Sequence, residues 1–71
     1  GMKHIDSPMA GTVWKIVKAP GESVDFGDTV AILESMKMEI PVESNHSGTI
    51  AEILVKEGDV VDEGTVIARL A

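Results

Sequence analysis

The chain aligns with itself. "GTVWKIVKAPGESVDFGDTVAIL" (11–33) lies over "GTIAEILVKEGDVVDEGTVIARL" (48–70) without a gap, at an offset of 37. Nine of the 23 paired positions are identical: Gly11/Gly48, Thr12/Thr49, Ile16/Ile53, Gly21/Gly58, Val24/Val61, Asp25/Asp62, Gly27/Gly64, Ala31/Ala68 and Leu33/Leu70. The match extends upstream, where Ile5-Asp6-Ser7 corresponds to Val42-Glu43-Ser44. A repeat dictates architecture before any local propensity does. Two copies are too few for a solenoid, so they imply two halves, at about 5–34 and 42–71, packed about a pseudo-twofold axis. Seventy-one residues are enough for one domain, 1–71, near the lower size at which a core supports itself.

Each half reads as β-structure. A strand (Thr12–Val17; Thr49–Val55) leads to a glycine turn at Gly21 or Gly58. A very short strand follows around Val24 or Val61, then a second turn at Gly27 or Gly64, then an apolar strand (Thr29–Leu33; Val66–Leu70). Glycine suits these turns because it adopts positive φ without strain. With leading strands at 3–6 and 39–43 the count is about eight. No segment keeps a helical period over eleven residues. The expected fold is all-β, a flattened barrel or sandwich.

Composition removes several function classes. The net charge is −6, from twelve acidic and six basic residues, which argues against nucleic acid. No apolar run approaches the ~20 residues of a membrane span, and no signal peptide is visible. Cysteine is absent, so there is neither a disulfide nor a thiolate metal site, and a cytoplasmic location is the expectation. His4 and His46 lack ligand-like spacing, so no metal is expected. No nucleophile–base set stands out, and a catalytic role is not expected. Gly1, preceding Met2, reads as a cleavage scar rather than part of the fold.

One stretch breaks the rules that the rest obeys. "ESMKME" (34–39) joins the apolar runs "TVAIL" and "IPV". Tight hairpins favour Asn-Gly or Asp-Gly, because both central residues need positive φ. Here the centre is Met-Lys-Met. A two-residue turn at Met36-Lys37 sets Ser35 opposite Met38, Glu34 opposite Glu39 and Leu33 opposite Ile40. Facing like charges destabilise a hairpin. Met36 and Met38 could fold back as gap-filling core, or stand exposed at the tip. Rules broken without structural gain mark candidate functional sites, and Lys37 is the candidate. Under the offset of 37, the strand before the tip corresponds to the C-terminal strand, and the strand after it to the N-terminal one. The tip and the chain ends should therefore lie at opposite edges.

From about Ile5 to Leu70 the sequence resembles the biotinyl/lipoyl attachment domains. "ESMKME" resembles the biotin attachment signature, in which the modified lysine sits between two methionines. "SPMAGTV" (7–13), "SGTI" (47–50) and "VKEGDVV" (55–61) are similar to other stretches of the family. The resemblance implies a flattened barrel of two four-stranded sheets, the biotinyl/lipoyl-carrier hammerhead. It also implies biotin attached covalently to Lys37, with Met36 and Met38 as flanking recognition residues. The implied partners are a biotin protein ligase, a biotin carboxylase and a carboxyltransferase, between which the arm carries a carboxyl group to an acyl-CoA or 2-oxo acid. The chain is most similar to the small free-standing bacterial attachment proteins. Two features depart from the biotin pattern: Ser35 stands where alanine is usual, and Glu-Ser often precedes the lysine of lipoyl domains. Lipoate on Lys37, serving an oxo-acid dehydrogenase or the glycine cleavage system, is the alternative. An unmodified interaction domain is the third reading.

Overall fold

A computed structural model describes residues 3–71; Gly1 and Met2 lie outside the described residues, and the reading of Gly1 with them. Eight strands follow in order: β1 (Lys3–Asp6), β2 (Gly11–Ile16), β3 (Ser23–Val24), β4 (Thr29–Ser35), β5 (Met38–Glu43), β6 (Gly48–Ile53), β7 (Val60–Val61) and β8 (Val66–Leu70). They form two antiparallel four-stranded sheets, ordered β1-β8-β6-β3 and β5-β4-β2-β7. Both sheets contribute to one apolar cluster, in which Ile5, Leu33, Val42, Ile50, Ile67 and Leu70 are fully buried. The fold is the all-β flattened sandwich expected from the repeat. The long strands β2 and β6 end at Ile16 and Ile53, slightly earlier than expected.

The offset of 37 survives as pairing. Leu33↔Ile40, Ile32↔Pro41 and Ala31↔Val42 in one sheet become Leu70↔Lys3, Arg69↔His4 and Ala68↔Ile5 in the other. Gly11↔Val61 likewise becomes Gly48↔Val24. Those last two pairs cross between halves, so each sheet contains one two-residue strand from the opposite repeat. Neither half can complete its sheet alone.

Bulges repeat as well. The register slips between Thr29 and Ala31 in β4, and between Ile5 and Asp6 where β1 meets β8. Val30 and Ile67 are the extra residues. An ideal strand sends consecutive side chains to opposite faces. A bulge suspends that alternation, and here it lets Val30 with Ala31, and Ile67 with Ala68, bury two neighbours in a row. That explains why Val30-Ala31 and Ile67-Ala68 read as consecutive apolar residues where strict alternation would place a polar one.

The glycine turns share one device. In the Ala19–Glu22 turn the Glu22 amide donates to the Ala19 carbonyl (3.1 Å), and the Ala19 amide donates to the Glu22 carboxylate (2.8 Å). The Lys56–Asp59 turn repeats both bonds, at 3.0 and 2.9 Å. Gly21 and Gly58 sit at φ 92° and 97°, where a β-carbon would be strained.

One glycine pair breaks the symmetry. A β-carbon on Gly11 would lie 2.9 Å from the Glu34 carbonyl oxygen, whereas on Gly48 its nearest neighbour would be Leu70 Cδ1 at 3.5 Å. Backbone cannot yield as a side chain can. Gly11→Ala should therefore destabilise by about 1–3 kcal/mol. Gly48→Ala should be close to neutral, because ordinary contact is offset by the reduced freedom of the unfolded chain. Urea unfolding of the two variants checks this. Equal losses would contradict it.

Candidate functional site

β4 and β5 form a continuous ladder that ends in a two-residue turn. Ser35 pairs with Met38, Glu34 with Glu39 and Leu33 with Ile40, in the register the sequence implied. Met36 has φ 52° and Lys37 φ 64°. Positive φ at both central residues is the turn that matches the twist of the flanking strands. Left-handed backbone costs L-residues roughly 1–2 kcal/mol each. Among the described residues, Met36 and Lys37 are the only non-glycine positions with positive φ, while four glycines, Gly21, Gly27, Gly58 and Gly64, hold the others. Among the described residues, glycine thus holds every other such position and is withheld here.

The side chains at the tip do not fold back. Met36 is 86% exposed and Met38 55%, so neither fills the core. Lys37, Glu34 and Glu39 are also exposed. The other cations have partners or lie elsewhere. Lys15 stacks over the Trp14 ring at 5.7 Å, Lys18 donates to the Ser23 carbonyl (3.2 Å), and Arg69 forms an ion pair with Glu52. Lys3 and Lys56 are exposed away from the tip, in β1 and in the turn before β7. Among the described residues, the Lys37 amine has no hydrogen-bond or ion-pair partner, and no cavity opens beside it. His4 lies in β1 opposite Arg69, and His46 in the loop after β5, where its amide is held by Ser44.

The tip and the chain ends are equivalent under the repeat. The turn closes β4 onto β5 in one sheet; in the other, Leu70 pairs with Lys3 at the equivalent position.

Pairing between β2 and β7 adds a row that the sequence did not reveal. Glu39, Glu34, Thr12 and Val60 lie side by side across four strands. Directly opposed residues share a face, so the row runs from the acidic base of the hairpin to an exposed valine. Only the pairing of a two-residue strand could disclose it, and so short a strand carries little periodic signal.

A family model described as "Biotin-requiring enzyme" matches residues 3–70. The chain belongs to the biotin/lipoyl attachment family. The biotin/lipoyl attachment protein of Bacillus subtilis (strain 168) is 49% identical over 63 residues, covering 89% of this chain and 86% of the relative. The biotin-dependent acyl-coenzyme A carboxylase alpha3 subunit of Mycobacterium leprae (strain TN) is 42% identical over 66 residues, covering 93% of this chain but 11% of that protein. The crystal structure of Kluyveromyces lactis urea carboxylase superposes with a TM-score of 0.93 at 38% identity, over 100% of this chain and 6% of that one. The chain therefore spans nearly all of one family member and only a small part of the carboxylases.

Proposed function

We propose that this chain is a biotin carrier, with biotin joined to Lys37 through an amide and passed between the active sites of a biotin-dependent carboxylase. The observation that carries the reading is the tip itself. Among the described residues, a primary amine without a hydrogen-bond or ion-pair partner stands at the apex of a turn strained at both central residues, while glycine holds the other positive-φ positions. Strain held at one exposed point is expected where position serves function.

The residues present fit a tethered cofactor. Biotin has a carboxyl group that can acylate an amine, and Lys37 is exposed at the tip. In the attachment step the neutral amine attacks an activated biotinyl carboxyl, the N–C bond forms, the activating group departs with the bonding electron pair, and the nitrogen loses its proton to the ligase. Once bound, biotin supplies a ureido nitrogen able to carry a carboxyl group. Lys37 contributes reach, through a flexible four-carbon stem. The hairpin contributes direction, and the tether gives each partner site an effective concentration of about mM. Catalysis itself belongs to the partners: a ligase, a biotin carboxylase and a carboxyltransferase.

Biotin is favoured over lipoate by the two methionines and by the biotin-dependent carboxylase among the relatives. Parallel reactions of the purified protein with a biotin protein ligase and with a lipoyl ligase test the choice, read by streptavidin blotting and intact mass. The biotin ligase should label the protein to completion, with little lipoyl transfer. Preferential lipoylation, or no transfer by either ligase, would overturn the proposal.

A further inference from the structure

We infer that Met36 and Met38 form a reversible oxidation site through which peroxides suppress cofactor attachment, an inference that rests on the assignment of Lys37 above. The methionines of the described residues fall into two classes. Met9 is half-buried and packs against the core. Met36 and Met38 stand 86% and 55% exposed on either side of the lysine. Oxidation of methionine follows access to the sulfur. In the reaction the thioether sulfur attacks one peroxide oxygen and the O–O bond breaks. One oxygen becomes the sulfoxide and the other leaves as water. Sulfur loses two electrons, and peroxide is the oxidant. A methionine sulfoxide reductase with a thiol donor reverses the change.

Placement determines the consequence. Sulfoxidation of a core methionine disrupts packing. Neither tip methionine belongs to the apolar cluster, so oxidation there spares the fold. What changes is the surface offered to partners. Two flexible, polarisable thioethers flank the site that several different active centres must accept, and methionine suits surfaces that adapt to several partners. A ligase enclosing the tip removes these side chains from water. The sulfoxide adds a strong acceptor that an apolar contact leaves unpaired, which is costly. The same position that makes the tip accessible to a ligase makes it accessible to peroxide.

The test uses unmodified protein exposed to hydrogen peroxide, then freed of peroxide before ligase is added. Peptide mass mapping should show one added oxygen at each of Met36 and Met38 well before Met9, with the far-ultraviolet circular dichroism unchanged. The rate of biotin attachment should fall on the order of tenfold. Sulfoxide reductase should restore it, and Met9→Leu should leave the peroxide sensitivity intact. Oxidised tips that accept biotin at the untreated rate would overturn the inference, as would sensitivity that disappears in Met9→Leu. Untreated protein that accepts no biotin would instead overturn the assignment of Lys37, and the switch with it.

Discussion

Lys37→Arg should abolish cofactor attachment completely and leave the barrel folded. Arginine keeps the charge and most of the length, but its guanidinium stays protonated at any working pH and offers no free amine to acylate. The side chain at this position is exposed, so the exchange removes no packing. Attachment measured by intact mass should be nil, while circular dichroism and the unfolding midpoint stay close to those of the parent. Lys37→Gly separates function from strain at the same position. Glycine takes φ 64° without the steric cost of a β-carbon, so this variant should be more stable than the parent by about 1 kcal/mol. In a chain of this size that is a rise of roughly 4–8 °C in Tm. A stabilised chain that cannot be modified is the expected outcome when a turn is shaped for presentation at the expense of stability. Residual biotin on Lys37→Arg would place the site elsewhere.

Leu33→Ala and Leu70→Ala should each destabilise by about 2–5 kcal/mol. Both leucines are fully buried, in β4 and β8, at positions the repeat relates. Leu33 lies between Val13 and Ile40; Leu70 lies between Ile50 and Lys3. A domain of this length has only about 4–10 kcal/mol in total, so either change removes a large part of the folded population. Urea unfolding should show comparable losses, because each truncation empties an equivalent site in one shared core. Phe26→Ala should do little, since that ring is 76% exposed. Function should follow stability here. Leu33→Ala should lose attachment together with its circular dichroism signal, whereas Lys37→Arg loses attachment alone. A severe loss for Leu33→Ala with a trivial one for Leu70→Ala would contradict the repeat-based account of the core.

Much of this was legible because the repeat constrains pairing as well as element type. Once Leu33 corresponds to Leu70, pairing β4 with β5 implies pairing β8 with β1, and the register follows residue by residue. The hairpin register around Met36-Lys37 was legible too, because a two-residue loop leaves only one way to oppose Glu34 and Glu39. The bulges were not. Val30 and Ile67 look like ordinary members of apolar runs, and only the ladder shows that they are extra. The exchange of β3 and β7 between sheets was hidden because two residues are too few to show a period. The direction of the tip methionines was open as well. Gap-filling and exposure were both compatible with the sequence, and both side chains stand exposed, Met36 in the left-handed turn and Met38 at the start of β5. Turn chemistry could show that glycine was missing from the tip, but not that Met36 and Lys37 adopt glycine's conformation in its place.

The central claim is that this fold presents one lysine for one cofactor. Intact mass of the protein isolated from its own organism, followed by peptide mapping, tests it most directly. The expected result is a mass increase of a single biotinyl group, located on Lys37, with Lys3, Lys15, Lys18 and Lys56 unmodified. A lipoyl group on Lys37, biotin on any other lysine, or an unmodified chain in cells that biotinylate other proteins would contradict it.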